Sequence, residues 1–114
     1  MIIAERELDY VSQSGKTIPV PVRLYAPEGS GKHWSCRFTI AWPDEVEKST
    51  TYGVDQFQAI ILTLQMIGSR LYLSDHHQSG NLYFELPGSG YGFPVPKIMR
   101  DVLIGDDKRF DGEG

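Results

Sequence analysis

The chain is short of several things that would identify a function. It has one cysteine, Cys36, so no intramolecular disulfide forms and the core must hold without a covalent staple, as in a reducing cytoplasm. It has no long apolar run. The nearest approach, residues 59–73, is interrupted by Thr63, Gln65, Ser69 and Arg70 and is too short and polar to span a bilayer. The amino terminus, MIIAERELDY, meets charge almost at once and does not read as a signal peptide. It has no excess of basic residues: 11 Lys and Arg stand against 15 Asp and Glu, a formal net charge of -4. That balance argues against a partner bound through its phosphates, so no nucleic acid is expected.

Chemistry-bearing motifs are equally sparse. There are three histidines and no HExxH pattern. Asp75, His76 and His77 sit together with only His33 elsewhere, and a solvated polar turn after a helix explains them better than a metal site. Cys36 shares a strand face with large apolar residues, the place of a buried small hydrophobe rather than a nucleophile. GSGYGFP has glycines but no following long helix, and PEGSGKH lacks the P-loop spacing and runs into a strand. The pairs Asp44–Glu45 and Asp106–Asp107 fall in polar segments and read as solvated loop charges. Neither a cofactor nor a metal is expected, and an enzyme is the less favoured class.

What is present is fold signal. Length and a 40% hydrophobic, 23% charged composition suit one globular domain over 1–114, with 106–114 as a frayed tail. Residues 2–10 and the period-two run Ile18, Val20, Val22, Leu24 predict a hairpin. Pro19 and Pro21 place the first half of the second strand at an edge. Trp34, Cys36, Phe38, Ile40 and Trp42 give the cleanest alternation and predict a central strand. DEVEKSTTYG reads as a polar connection. A helix is predicted from Val54 to Leu73, with Phe57, Ile60, Ile61, Leu64, Ile67 and Leu71 as its buried stripe. NLYFELP reads as a short further strand, and 96–105 as a short helix or closing strand docking through Ile98, Val102 and either Met99 or Leu103. The expected architecture is α+β, two layers: an antiparallel sheet of about four strands against one long helix.

Two features bear on function. Leu62, Met66 and Leu73 lie opposite the predicted stripe, and aliphatic residues on an outer face predict a second contact: intramolecular cover, self-association or a protein partner. Aromatics Tyr83, Tyr91 and Phe93 adjoin a glycine-rich loop; with only Lys97 and Arg100 nearby they do not make a base-stacking surface. A polar pocket is the rival expectation, where Tyr52, Asp55, Gln58, Gly92 and Phe93 would converge at the helix start.

The strings WSCRFTIAWP, YGVDQFQAIILTL and GFPVP resemble a family of small bacterial proteins of unknown function. Those share a tryptophan-bearing strand, a GVDxFQAL-like helix opening and a late GFP element. The resemblance spans the C-terminal two thirds of the chain and implies a compact domain; it transfers no active site. The resulting expectation is a non-catalytic, cytoplasmic protein-interaction domain in an immunity-like or accessory role. A small enzyme or small-ligand binder is the alternative, and a structural subunit of a larger assembly a third.

Overall fold

The computed structural model describes residues 1–109. Strands β1 (Ile2–Val11) and β2 (Thr17–Tyr25) form the expected hairpin, antiparallel from Val11↔Thr17 to Ile2↔Tyr25. The tripeptide β3 (Glu28–Ser30) turns through Gly31 and Lys32 into β4 (His33–Ala41). The segment expected as a polar connection is instead β5 (Val46–Gly53), paired with β4 from Trp34↔Gly53 to Ala41↔Val46. With β6 (Leu82–Tyr83) against Asp9 and Tyr10, the sheet has six strands rather than about four, all antiparallel. Strand β4 is interior as expected: β5 takes one edge, and β3 and the second half of β2 share the other. The prolines of β2 lie before its pairing with β4 at Val22–Leu24, on the stretch that has β1 as its only strand neighbour.

Helix α1 (Gln56–Leu73) covers one face of this sheet. It runs antiparallel to β5. The Ala59 backbone sits against Gly53, the Thr63 hydroxyl meets Thr51, and Arg70 pairs with Glu47 at 3.1 Å. The core between the layers holds Leu8, Val20, Val22, Phe38, Ile40, Trp42, Ile67 and Leu71, so the alternation read in β2 and β4 points inward as expected.

The helix stripe is only partly as expected. Ile67 and Leu71 are buried and Ile60 and Leu64 half-buried, but Phe57 is 78% exposed and Ile61 52%. The positions facing β5 are small ones, Ala59 and Thr63, because helix and strand approach closely there. A Cβ on Gly53 would stand 2.6 Å from the Ala59 nitrogen. Farther along, a Cβ on Gly68 would run into the Pro94 carbonyl, where Pro94 and Val95 of the glycine-rich loop lie against the helix.

After α1 come α2 (Asp75–Gln78), a 3₁₀ helix (Lys97–Val102) and the single turn α3 (Gly105–Asp107). The 3₁₀ segment docks through Met99 and the buried Leu103, as two of the four expected contacts, while Ile98 is 91% exposed and Val102 also faces solvent. The expected fraying from 106 does not hold for Asp107, which is buried at 5% exposure; 110–114 of that expected tail lie outside the described residues. No described helix is long and apolar enough to cross a membrane.

Candidate functional site

The helix opening is a capping device. Asp55 is the N-cap, and its Oδ1 accepts from the Gln58 amide at 2.7 Å; the Gln58 Oε1 accepts from the Val54 amide at 2.7 Å. With Gly53 providing the close approach, the distinctive string GVDQFQA is accounted for by how α1 starts. Beneath it, Thr63 donates to the Ala59 carbonyl at 2.7 Å and bonds Thr51, satisfying two buried hydroxyls between helix and sheet.

The expected pocket is divided. Tyr52 and Gln58 line a cleft of about 580 Å³ with His33 and Trp34. Gly92 and Phe93 line a different cavity of about 280 Å³ with Arg6, Val22, Leu24 and Leu64. The convergence fails for a geometric reason. Residues 92–94 meet α1 at Gly68, and the ten residues from Gln58 to Gly68 are about 15 Å of helix.

That second cavity is the more informative one. Phe57, Ile61 and Leu64 form one i, i+4, i+7 row. Leu64 lines the cavity, and Ile61 and Phe57 carry the same row beyond it into solvent, past the end of the glycine-rich loop. On the other side runs β1, whose edge away from β2 is paired with β6 only at Asp9 and Tyr10. From Ile2 to Leu8 that edge has no backbone partner among the described residues. The result is a groove with an apolar wall, an apolar floor of Val22 and Leu24, and an open strand edge.

The loop closing the groove is held from both ends of the chain. Arg6 donates to the Tyr91 and Gly92 carbonyls at 3.0 and 3.1 Å and lies over the rings of Phe84 and Phe93. Asp107 accepts from the Tyr91 and Gly92 amides at 2.8 and 2.7 Å and from the Tyr72 hydroxyl. The same two residues are thus grasped by donors to their carbonyls and acceptors for their amides. Burial, reinforced by the Asp107 carboxylate, pushes the Tyr72 and Tyr91 hydroxyls far above the usual tyrosine range.

The adjacent histidines separate into two environments. His77 bonds the Tyr91 hydroxyl through Nδ1, and its burial lowers its pKa, favouring the neutral ring. His76 stacks on Trp42 at 4.4 Å and lies edge-on to Tyr10, with Asp44 at 3.8 Å. Both are placed by packing against aromatics, not in a solvated turn, and no described group of three or more His, Cys, Asp or Glu could hold a metal ion. Cys36 is buried and donates its thiol to the Tyr25 carbonyl at 3.2 Å. Of the two carboxylate pairs, Asp44 and Glu45 are exposed, whereas Asp107 is not a solvated loop charge.

The outer aliphatic face has a definite position. Ala59, Thr63 and Arg70 point at β5, and Ile60, Leu64, Ile67 and Leu71 lie about 100° round toward the core. Leu62, Ser69 and Leu73 then fall on the opposite flank, outboard of β5. Leu62 and Leu73 are exposed; Met66 is half-buried against the core.

A family model described as Domain of unknown function (DUF6968) matches residues 4–95, and the chain belongs to that family. No curated protein and no solved structure matches. The matched span contains the sheet from Ala4 onward, α1 and the loop over Gly68; Asp107 lies outside it.

Proposed function

We propose that this domain is a non-catalytic protein-binding module in an accessory role, and that its α1–β1 groove receives an extended segment of a partner protein bearing a large apolar side chain. The observation that carries this is the cavity between Leu64 and the unpaired edge of β1, floored by Val22 and Leu24, from which the row of Leu64 continues along α1 as the exposed Ile61 and Phe57. A partner strand added to β1 would use the backbone groups left unpaired along that edge, with its side chains set against the helix. Covering Phe57 and Ile61 contributes about 1.5–3 kcal/mol for each side chain fully buried.

The rival reading, a ligand pocket at the helix start, rests on the cleft beside Trp34 and Tyr52. It has less support, because Asp55 and Gln58 already spend polar atoms on the helix cap.

The test places a photo-crosslinking amino acid at Ile61 in the native cell, with Arg23 on the opposite sheet face as control. A discrete adduct with another protein at 61, absent at 23 and abolished by Phe57→Glu, is expected. The cross-linked segment, made as a peptide, should slow amide exchange along residues 2–7. Equal labelling at both positions, or a peptide that leaves β1 exchange unchanged, would overturn the reading.

A further inference from the structure

We infer that a second copy of this chain docks on the opposite side of the molecule, through β5 and the outboard flank of α1, making a two-fold dimer with one continuous twelve-stranded sheet. This goes beyond the groove described above and uses none of its residues.

The first observation is an unused edge. Strand β5 pairs with β4 along its whole length and, among the described residues, with nothing on its other side. It is eight residues long, with no proline to blunt it; the charges that guard such an edge are here Lys48 and the inward Glu47, and Glu47 is already engaged by Arg70 and Trp42. The second observation is what hangs over that edge. Leu62 and Leu73 are exposed there, with Met66 and the small Ser69 between them. Met66 packs against the core and Ser69 is buried, so Leu62 and Leu73 are the aliphatic side chains that the isolated domain leaves uncovered on this flank.

The third observation is that both features fit a copy of themselves. In an antiparallel pair, residues directly opposite share a sheet face, so β5 pairs with its own copy about Ser49 or about Thr50. About Ser49, Val46 faces Tyr52, Glu47 faces Thr51 and Lys48 faces Thr50. About Thr50, Lys48 faces Tyr52 and Glu47 faces Gly53. Neither register opposes like charges.

The helices then meet without adjustment. Helix α1 packs on both β5 and β4, so its axis lies roughly half a strand spacing inside β5. Two β5 strands about 4.8 Å apart would set the two helix axes roughly 10 Å apart, at the upper end of the usual range for packed helices. Because α1 is antiparallel to β5 with Thr63 over Thr51 and Arg70 by Glu47, the two-fold falls near Met66. That brings Leu62 of one copy toward the Ser69 region of the other, a large side chain against a small one. A foreign strand would satisfy the edge but would not bring the matching helix.

Sedimentation velocity across the micromolar range is the primary measurement, with a dimer expected for the wild-type chain. Leu62→Glu/Leu73→Glu is expected to sediment as a monomer with an unchanged circular dichroism spectrum. Cysteine at position 49 or 50 reports on geometry independently: mild oxidation should give a covalent dimer from one of them, and none from cysteine at Arg23. A monomeric wild type overturns the inference. So does a dimer that survives the double substitution and cross-links at neither 49 nor 50, since another face would then be responsible. Phe57→Glu should leave the dimer intact, so failure of the groove and failure of this interface are distinguishable.

Discussion

Replacing Asp107 by alanine removes a buried carboxylate that accepts from the Tyr91 and Gly92 amides and the Tyr72 hydroxyl. Hydrogen bonds to a charged group are worth about 1.5–3 kcal/mol each, and a buried donor left unmet costs about 1–3 kcal/mol. Three such bonds are not additive, and the carboxylate's own desolvation offsets part of them. A net loss of about 3 kcal/mol is expected, or roughly 10–15 °C in Tm for a domain of this size. Asp106→Ala is the internal control: its side chain is exposed and its place in the chain almost the same, so it should stay within about 0.5 kcal/mol of wild type. Urea denaturation followed by tryptophan fluorescence measures both. Because Asp107 holds the loop that walls the groove, amide exchange at Tyr91 and Gly92 should accelerate as well. If Asp107→Ala unfolds within about 1 kcal/mol of wild type, the carboxylate is not organising the loop and the reasoning fails.

Two other consequences follow from the interior. The buried site of His77 holds its pKa below the ordinary value of 6.5. The unfolded chain therefore takes up the proton first, so stability is full above pH 6.5 and declines as the pH falls below it; in urea midpoints measured against pH, His77→Gln should lack that part of the decline. Thr51→Val and Thr63→Val should each cost about 1 kcal/mol by removing the hydroxyl contact between strand and helix, the hydroxyl that remains keeping the Ala59 carbonyl as its acceptor, while the double valine should cost less than their sum. A double-mutant cycle that closes additively would mean that the two hydroxyls act independently.

How legible the fold was depends on which residues carried it. Strands β2 and β4 could be read because their inward positions are large and apolar at period two, and β1, whose inward positions include Ala4 and Arg6, followed from its partial alternation and the turn at Gly15. Strand β5 could not, because its inward positions are Glu47, Ser49, Thr51 and Gly53, chosen for proximity to the helix rather than for hydrophobicity. The same condition explains the helix. Ala59 and Thr63 carry little apolar signal yet sit deepest, while Phe57 and Ile61 match the periodic pattern but project past the end of the loop that covers Gly68. Their exposure depends on where that loop stops, which is a tertiary fact. The outer row Leu62, Met66 and Leu73 was visible because it breaks amphipathicity locally. The different fates of Asp106 and Asp107, and of His76 and His77, were not, since each depends on aromatic or amide partners far along the chain. The two halves of the expected pocket were individually sound as surface features, but helix length kept them apart.

The grip of Arg6 on Tyr91 and Gly92 spans 85 and 86 positions. Closing a loop that long costs about 4 kcal/mol of chain entropy before any contact rewards it. Hairpins β1–β2 and β4–β5 and the helix need no such closure, so they are the natural early structure, and the clamp belongs to the final stage of assembly. A contact made after the rate-limiting step stabilises by slowing escape rather than by hastening arrival. Arg6 is thus a brake on unfolding: it lengthens the lifetime of the closed loop while leaving the speed of folding nearly untouched.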